Sequence, residues 1–118
     1  MFQTGLFTVV RGRMAREALN KYAPDGTLIV EFTLGVGGGS AKYSVMWVHV
    51  AVWGELAEKA LNVLDKKGIA VEVEGMLQVR KYSSKHGVDV WIELKRVREI
   101  KVYDRDGELV ETLSSEKA

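Results

Sequence analysis

A chain of 118 residues with 47% hydrophobic and 28% charged side chains has the makings of one globular domain that buries a core without staples. It has no cysteine, which excludes disulfides and thiolate metal sites and leaves the redox compartment unread. The net charge is only +1 but unevenly spread: residues 104–118 sum to −3, the rest to +4, and Arg80–Lys101 alone holds seven basic and three acidic residues.

The opening stretch, MFQTGLFTVVRGRM, lacks the basic and apolar regions of a secretory signal, and no apolar run approaches the ~20 residues of a membrane helix. The expectation is a cytoplasmic protein without a membrane span. Gly5–Met14 predicts a strand that is apolar on both parities, with Gly12 available for a bend or bulge. Ala15–Tyr22 reads as either a short helical turn or a loop, closed by the turn signal Pro24-Asp25-Gly26. Thr27–Val36 is β-rich, and Gly37–Ala41 predicts a hairpin tip leading into Tyr43–Trp53.

The richest segment is Met46–Glu58, MWVHVAVWGELAE. Val48, Val50 and Val52 share one parity of a period-2 strand; Trp47, His49, Ala51 and Trp53 share the other. The valine face is a core face. Two tryptophans opposite it belong to a second core or to an exposed platform, and flat rings beside cations are what gripping unstacked bases requires. A lone tryptophan is more often core, but two on the face opposite the valines favour stacking.

Gly54 breaks that strand. Leu56, Ala60, Leu61 and Leu64 then recur at helical spacing, predicting a helix through Lys66-Lys67 with Gly68 as its C-terminal cap. Ile69–Tyr82 returns to period 2, and Gly75 in mid-strand predicts a strong bend. Ser83–Gly87 reads as a loop, and Val88, Val90, Ile92 and Leu94 alternate against Asp89, Trp91, Glu93 and Lys95. The phase slips after Leu94, which predicts a bulge near Lys95–Val97. Asp106-Gly107 is a hairpin turn, and Ser114–Ala118 is expected to fray. Tyr22 and Phe32 read as core; Trp91 reads as exposed or interfacial, with base stacking second. Residues 1–103 are expected to form the domain and 104–118 a C-terminal hairpin with a short tail.

Three strands, one helix and two strands give an all-β fold with one helix: the five-stranded OB-fold barrel, helix between strands three and four. On that barrel Trp47 and Trp53 would stack bases, Tyr82 at a strand end reads equally as a stacking or a rim residue, and Arg11, Arg13, Lys42, Arg80, Lys81 and Lys85 would neutralise phosphates. No Asp/Glu/His group has metal-ligand spacing, and no cofactor motif is present, since GVGGGS lacks the lysine and helix of a phosphate loop. Glu72, Glu74, Asp89 and Glu93 are the polar parity of strands rather than a catalytic cluster, so the chain is not expected to be an enzyme.

The ordered series Trp47-x-His49-x-x-x-Trp53-Gly54-x-Leu56-Ala57-Glu58, Lys67-Gly68, Val73-Glu74-Gly75-x-Leu77, Arg80-Lys81-Tyr82 and Gly87 resembles the bacterial single-stranded DNA-binding protein family. Tyr22-x-Pro24-x-Gly26 and Phe32-Thr33-Leu34 fall in register with it, so the similarity covers roughly Leu6–Val102. The resemblance implies aromatics stacking on bases at Trp47, Trp53 and Tyr82, and basic residues on the phosphate path at Arg80 and Lys81. His49 stands where arginine is common, Glu55 where lysine is common. Val36–Ser44 is short and lacks a further tryptophan, which Tyr43 replaces in part. The family usually ends in a flexible segment with an acidic recruiting tip; this sequence ends SSEKA.

The resemblance further implies sequence-tolerant binding of single-stranded DNA in replication, recombination and repair by a cytoplasmic, nucleoid-associated homotetramer, with a dimer as the lesser assembly. The first strand, too apolar for one barrel interior to cover, suggests self-association on its own account. Trp91 with Met76 and Gln78 is a candidate second interface. The alternative reading is an accessory module of primosome type that acts through protein as well as DNA contacts.

Overall fold

The computed structural model describes residues 4–40, 42–65 and 67–114, among which the chain forms seven strands and one helix. In chain order these are β1 (Leu6–Met14), β2 (Leu19–Tyr22), β3 (Leu28–Ser40), β4 (Tyr43–Trp53), α1 (Glu55–Leu61), β5 (Ala70–Ser84), β6 (Gly87–Tyr103) and β7 (Leu109–Ser114). Five strands close a ring, β1–β5–β6–β4–β3 and back to β1; β2 flanks β3 and β7 flanks β6. All pairings are antiparallel except β4–β6, which joins Val48 to Ile92, His49 to Glu93 and Val50 to Leu94. With α1 between the third and fourth ring strands, this is the five-stranded OB-fold barrel expected from the pattern.

Period-2 alternation builds the interior. Val48, Val50 and Val52 of β4 meet Val30, Phe32 and Leu34 of β3, Val71 and Val73 of β5, and Leu94 and Ile100 of β6, all buried. The helix closes one end of the barrel with Leu56, Ala57 and Ala60. Their spacing places one stripe inward while Glu55, Glu58 and Lys59 remain in water.

β5 and β6 are long because each bends once. Their register slips between the pairs Glu74–Glu99 and Met76–Lys95, and Arg96 takes a left-handed φ of 51°. Gly75 is required there: a Cβ on it would lie 2.8 Å from the Lys95 carbonyl oxygen. The bulge expected near Lys95–Val97 is thus present, and beyond it Gln78–Val90 projects as an exposed two-stranded arm. The expected loop at Ser83–Gly87 is a tight hairpin end in which Ser84 pairs with Gly87.

Several expectations are corrected. Leu19–Tyr22 is a strand rather than a helical turn or loop, recruited by the open edge of β3 despite having no periodic pattern of its own. Tyr22 is 67% exposed, because that short strand lies outside the ring. β3 runs on through the glycines to Ser40, with an irregularity between Gly37 and Ser40; Ala41, at the hairpin tip, lies outside the described residues. The helix stops at Leu61 with Asn62 as its C-cap. Beyond it Leu64 turns inward, 1% exposed, and its carbonyl accepts the Ala18 N–H, so tertiary bonding ends the helix early. Gly68, with φ 89°, is therefore a turn into β5, and its N–H binds the Met14 carbonyl at 2.8 Å. Ser114, the first residue of the expected frayed end, instead closes β7 paired with Glu99; Lys66, expected to charge a helix cap, and residues 115–118 lie outside the described residues. Asp106-Gly107 does form a turn: Asp104 Oδ1 accepts the N–H groups of Asp106 and Glu108, both at 2.9 Å.

Candidate nucleic-acid interface

Residues paired across strands share a face, so the register defines one outer surface spanning β3, β4, β6 and β5. One row reads Thr33–His49–Glu93–Gln78; neighbouring rows add Gly35–Trp47, Ile29–Trp53, Trp91–Arg80 and Asp89–Tyr82. Trp47 and Trp53 are 52% and 58% exposed, while the valines alternating with them are buried. The choice between second core and platform is thereby decided in favour of an exposed aromatic face. Gly35 assists, because a Cβ there would lie 3.1 Å from Trp47 Cζ3; its absence leaves room for the indole to lie over the backbone of β3.

The centre of the surface is a stacked pair. The His49 and Trp91 rings lie 3.6 Å apart between centroids with 3° between planes. Thr33 Oγ1 and His49 Nδ1 share a hydrogen bond of 3.1 Å, which fixes the imidazole from the other strand. Burial pushes the His49 pKa below its ordinary value, opposed by the nearby Glu93 charge. At neutral pH the ring is therefore an uncharged stacking partner rather than a phosphate ligand. The Arg80 guanidinium carbon stands 5.8 Å from the Trp91 ring centroid, and Arg80 Nε lies 3.8 Å from Glu93 Oε1. Lys95 Nζ, at 3.3 Å, shares that carboxylate, so the acid at the centre of the platform is offset by two cations. A cavity of about 250 Å³ opens beside the stack, lined by Arg16, Glu31, Thr33, His49, Trp91 and Glu93 among others.

The expected site residues are gathered unevenly. Trp47, His49 and Trp53 on β4 and Arg80 and Tyr82 on β5 share the one face. Tyr82 is partly exposed and donates its hydroxyl to Asp89 Oδ2 at 3.3 Å, which orients its ring on the arm. Lys81 pairs with Val90 and points to the opposite side of the arm; Lys85 is at its exposed tip. Lys42 is exposed at the β3–β4 tip, and Tyr43 opens β4 opposite Ser40, its side chain outside the described residues. Arg13 pairs with Gly35 and so borders Trp47 across a residue without a side chain. Arg11 lies farther off on β1, where it pairs with Glu72 Oε2 at 3.2 Å.

Trp91 is the residue whose place the sequence left open. Its seat against His49 depends on the parallel β4–β6 pairing, which no local pattern encodes. The face shared by Trp91, Met76 and Gln78, read from the sequence as an assembly surface, is also the face of the platform. No group of three acidic, histidine or cysteine side chains suited to a metal ion occurs among the described residues.

The chain is 31% identical over 88 residues to single-stranded DNA-binding proteins of Halalkalibacterium halodurans and Streptococcus pneumoniae, and to single-stranded DNA-binding protein A of Bacillus subtilis. In each case 71% of this chain is aligned, against 52%, 56% and 51% of the relative. The chain thus spans about half the length of the curated relatives it matches. Residues 7–104 match the family described as the Single-strand binding protein family, and the chain belongs to that family.

Proposed function

We propose that this protein binds single-stranded DNA with little regard to sequence, serving replication, recombination and repair. The observation that carries the proposal is the pair Trp47 and Trp53, exposed on one outer face while the valines between them fill the core. Every base offers a π-face, so stacking on these rings and on Tyr82 needs no reading of base edges and contributes ~1–3 kcal/mol per base. Arg80 beside Trp91, Arg13 two strands from Trp47 across Gly35, and Lys42, Lys81 and Lys85 at the edges supply the positive charge that a phosphate backbone requires. The protein is a binding module, not an enzyme, and on this reading it works in the cytoplasm on exposed strands of the chromosome.

The same reading includes a homotetramer. β1 is paired along one edge with β5, while its other edge meets β3 only at Arg13 and Met14. Phe7 and Val9 on its outer side are more than half exposed, which suits pairing with a second copy. Titration of the intrinsic tryptophan emission tests the function directly. Oligo(dT) should quench it strongly, and a duplex of equal length should not, because paired bases hide their faces. Equal affinity for both, or no quenching by either, would sink the platform.

A further inference from the structure

One row of paired residues runs around the outside of the barrel from the platform to a second aromatic. Trp47 on β4 pairs with Gly35 on β3, Gly35 with Arg13 on β1, Arg13 with Ala70 on β5, and Ala70 with Tyr103 on β6. Four interstrand steps make this about 19 Å along the surface. Between the two aromatics stand a glycine, an alanine and an arginine, so the row is a shallow trough with one cation in its middle. None of its members is fully buried.

At the far end the chain gathers charge from one strand and two turns. A cavity of about 240 Å³ is lined by Arg13, Lys67, Ala70, Tyr103 and Arg105, with Asp104 as its acid. Lys67 comes from the turn before β5 and Arg105 from the β6–β7 turn, and both are exposed. Two acids nearby are held by hydrogen bonds. Asp104 caps its own turn through two backbone N–H groups. Glu72 accepts the Tyr103 hydroxyl at 2.8 Å and the Arg11 guanidinium at 3.2 Å. The Tyr103 ring is held in place by that bond, with the Arg11 guanidinium carbon 5.8 Å from its centroid. Arg13 also donates to the Gly68 carbonyl at 3.2 Å, and three cations outnumber the one carboxylate of the pocket. A fixed ring, a small-residue floor and surplus positive charge form the combination that holds an unpaired nucleic-acid strand.

We infer that single-stranded DNA leaves the platform at Trp47, follows this row over Gly35 and Arg13, and is held again by Tyr103, Lys67 and Arg105. The inference rests on the proposed single-strand binding and extends its track to a part of the barrel away from the arm. Phosphates are met by Arg13, Lys67 and Arg105, and one base stacks on Tyr103.

Oligomers of dT of about 5 and about 15 nucleotides, lengths that bracket the site of one barrel, separate the two parts. Lys67→Glu with Arg105→Glu should weaken binding of the longer oligomer about tenfold or more and flatten its salt dependence by ~0.7 per lost contact, leaving the shorter unchanged. Tyr103→Leu should weaken only the longer, and Tyr103→Phe, which keeps the ring but not the bond to Glu72, should weaken the longer less than Tyr103→Leu does. Trp53→Ala should weaken both lengths. If Trp53→Ala behaves so but the charge-reversed protein binds the longer oligomer normally, the trough is refuted and the platform stands. Equal loss in Tyr103→Leu and Tyr103→Phe would refute the stacking role of Tyr103. Failure of the unaltered protein to bind either oligomer would overturn platform and trough together.

Discussion

His49 and Trp91 face each other ring to ring at 3.6 Å, although they stand on strands with α1 and β5 between them in the chain. The pair links the tryptophans of β4 to the cation and tyrosine of the arm across the parallel pairing of β4 and β6. Trp91→Leu should therefore weaken binding of oligo(dT) by about 1–3 kcal/mol, as the loss of one stacking surface does. Retention of full affinity, measured by tryptophan quenching, would make Trp91 a packing residue only.

Stacking and charge should separate in their response to salt. Trp53→Ala should lower affinity at every salt concentration with little change in slope. Arg80→Ala should also flatten log K against log salt by ~0.7, the value for one single-strand phosphate contact. Lys81→Ala should do less, because Lys81 points to the other side of the arm. A larger slope change for Lys81→Ala than for Arg80→Ala would place the strand on the wrong face.

Stability should fall on mild acidification through His49. Burial holds its folded-state pKa below the ordinary 6.5, so the unfolded chain takes up that proton first. The contribution is complete above pH 6.5 and is lost as pH falls from there through the lower folded-state value. His49→Gln should flatten urea-melt stability against pH in that window. It should leave the more acid limb, where Glu72, held below its ordinary 4.5 by the Tyr103 hydroxyl, gives up its contribution. An unchanged slope just below pH 6.5 in His49→Gln would show that the imidazole does not control it.

Assembly should depend on β1. Light scattering at micromolar protein should give the mass of four chains, and Val9→Lys, placing a charge on the exposed side of the unpaired edge, should lower it. A single-chain mass for the unaltered protein would refute the assembly and leave the exposed Phe7 and Val9 unexplained.

Strand identity was legible wherever period 2 held: β4 has the expected bounds, Tyr43–Trp53, and the exposure of Trp47 and Trp53 follows from the valines between them. The bulge was legible too, because a phase slip after Leu94 and a glycine at position 75 both mark it. Nonlocal partners were not. β2 exists because β3 has an edge to fill, α1 ends because Ala18 needs the Leu64 carbonyl, and Tyr22 is exposed because β2 lies outside the ring. The site shows the same division. Its rings on β4 could be read from parity, whereas Trp91 beside His49 and Tyr103 in line with Trp47 arise from pairings that only the closed barrel creates.

β4 and β6 meet through three pairs, the parallel and hence slightly weaker kind of ladder, and His49–Glu93 is the middle one. One short seam of the ring and the midpoint of the platform are therefore the same few residues. A strand lying across them acts as a strap over a seam, and whatever grips both sides resists their parting. Cargo and architecture then protect each other: loaded protein should melt later than empty protein, the more so as ligand concentration rises, with exchange of the Val48, Val50 and Ile92 amides slowed first.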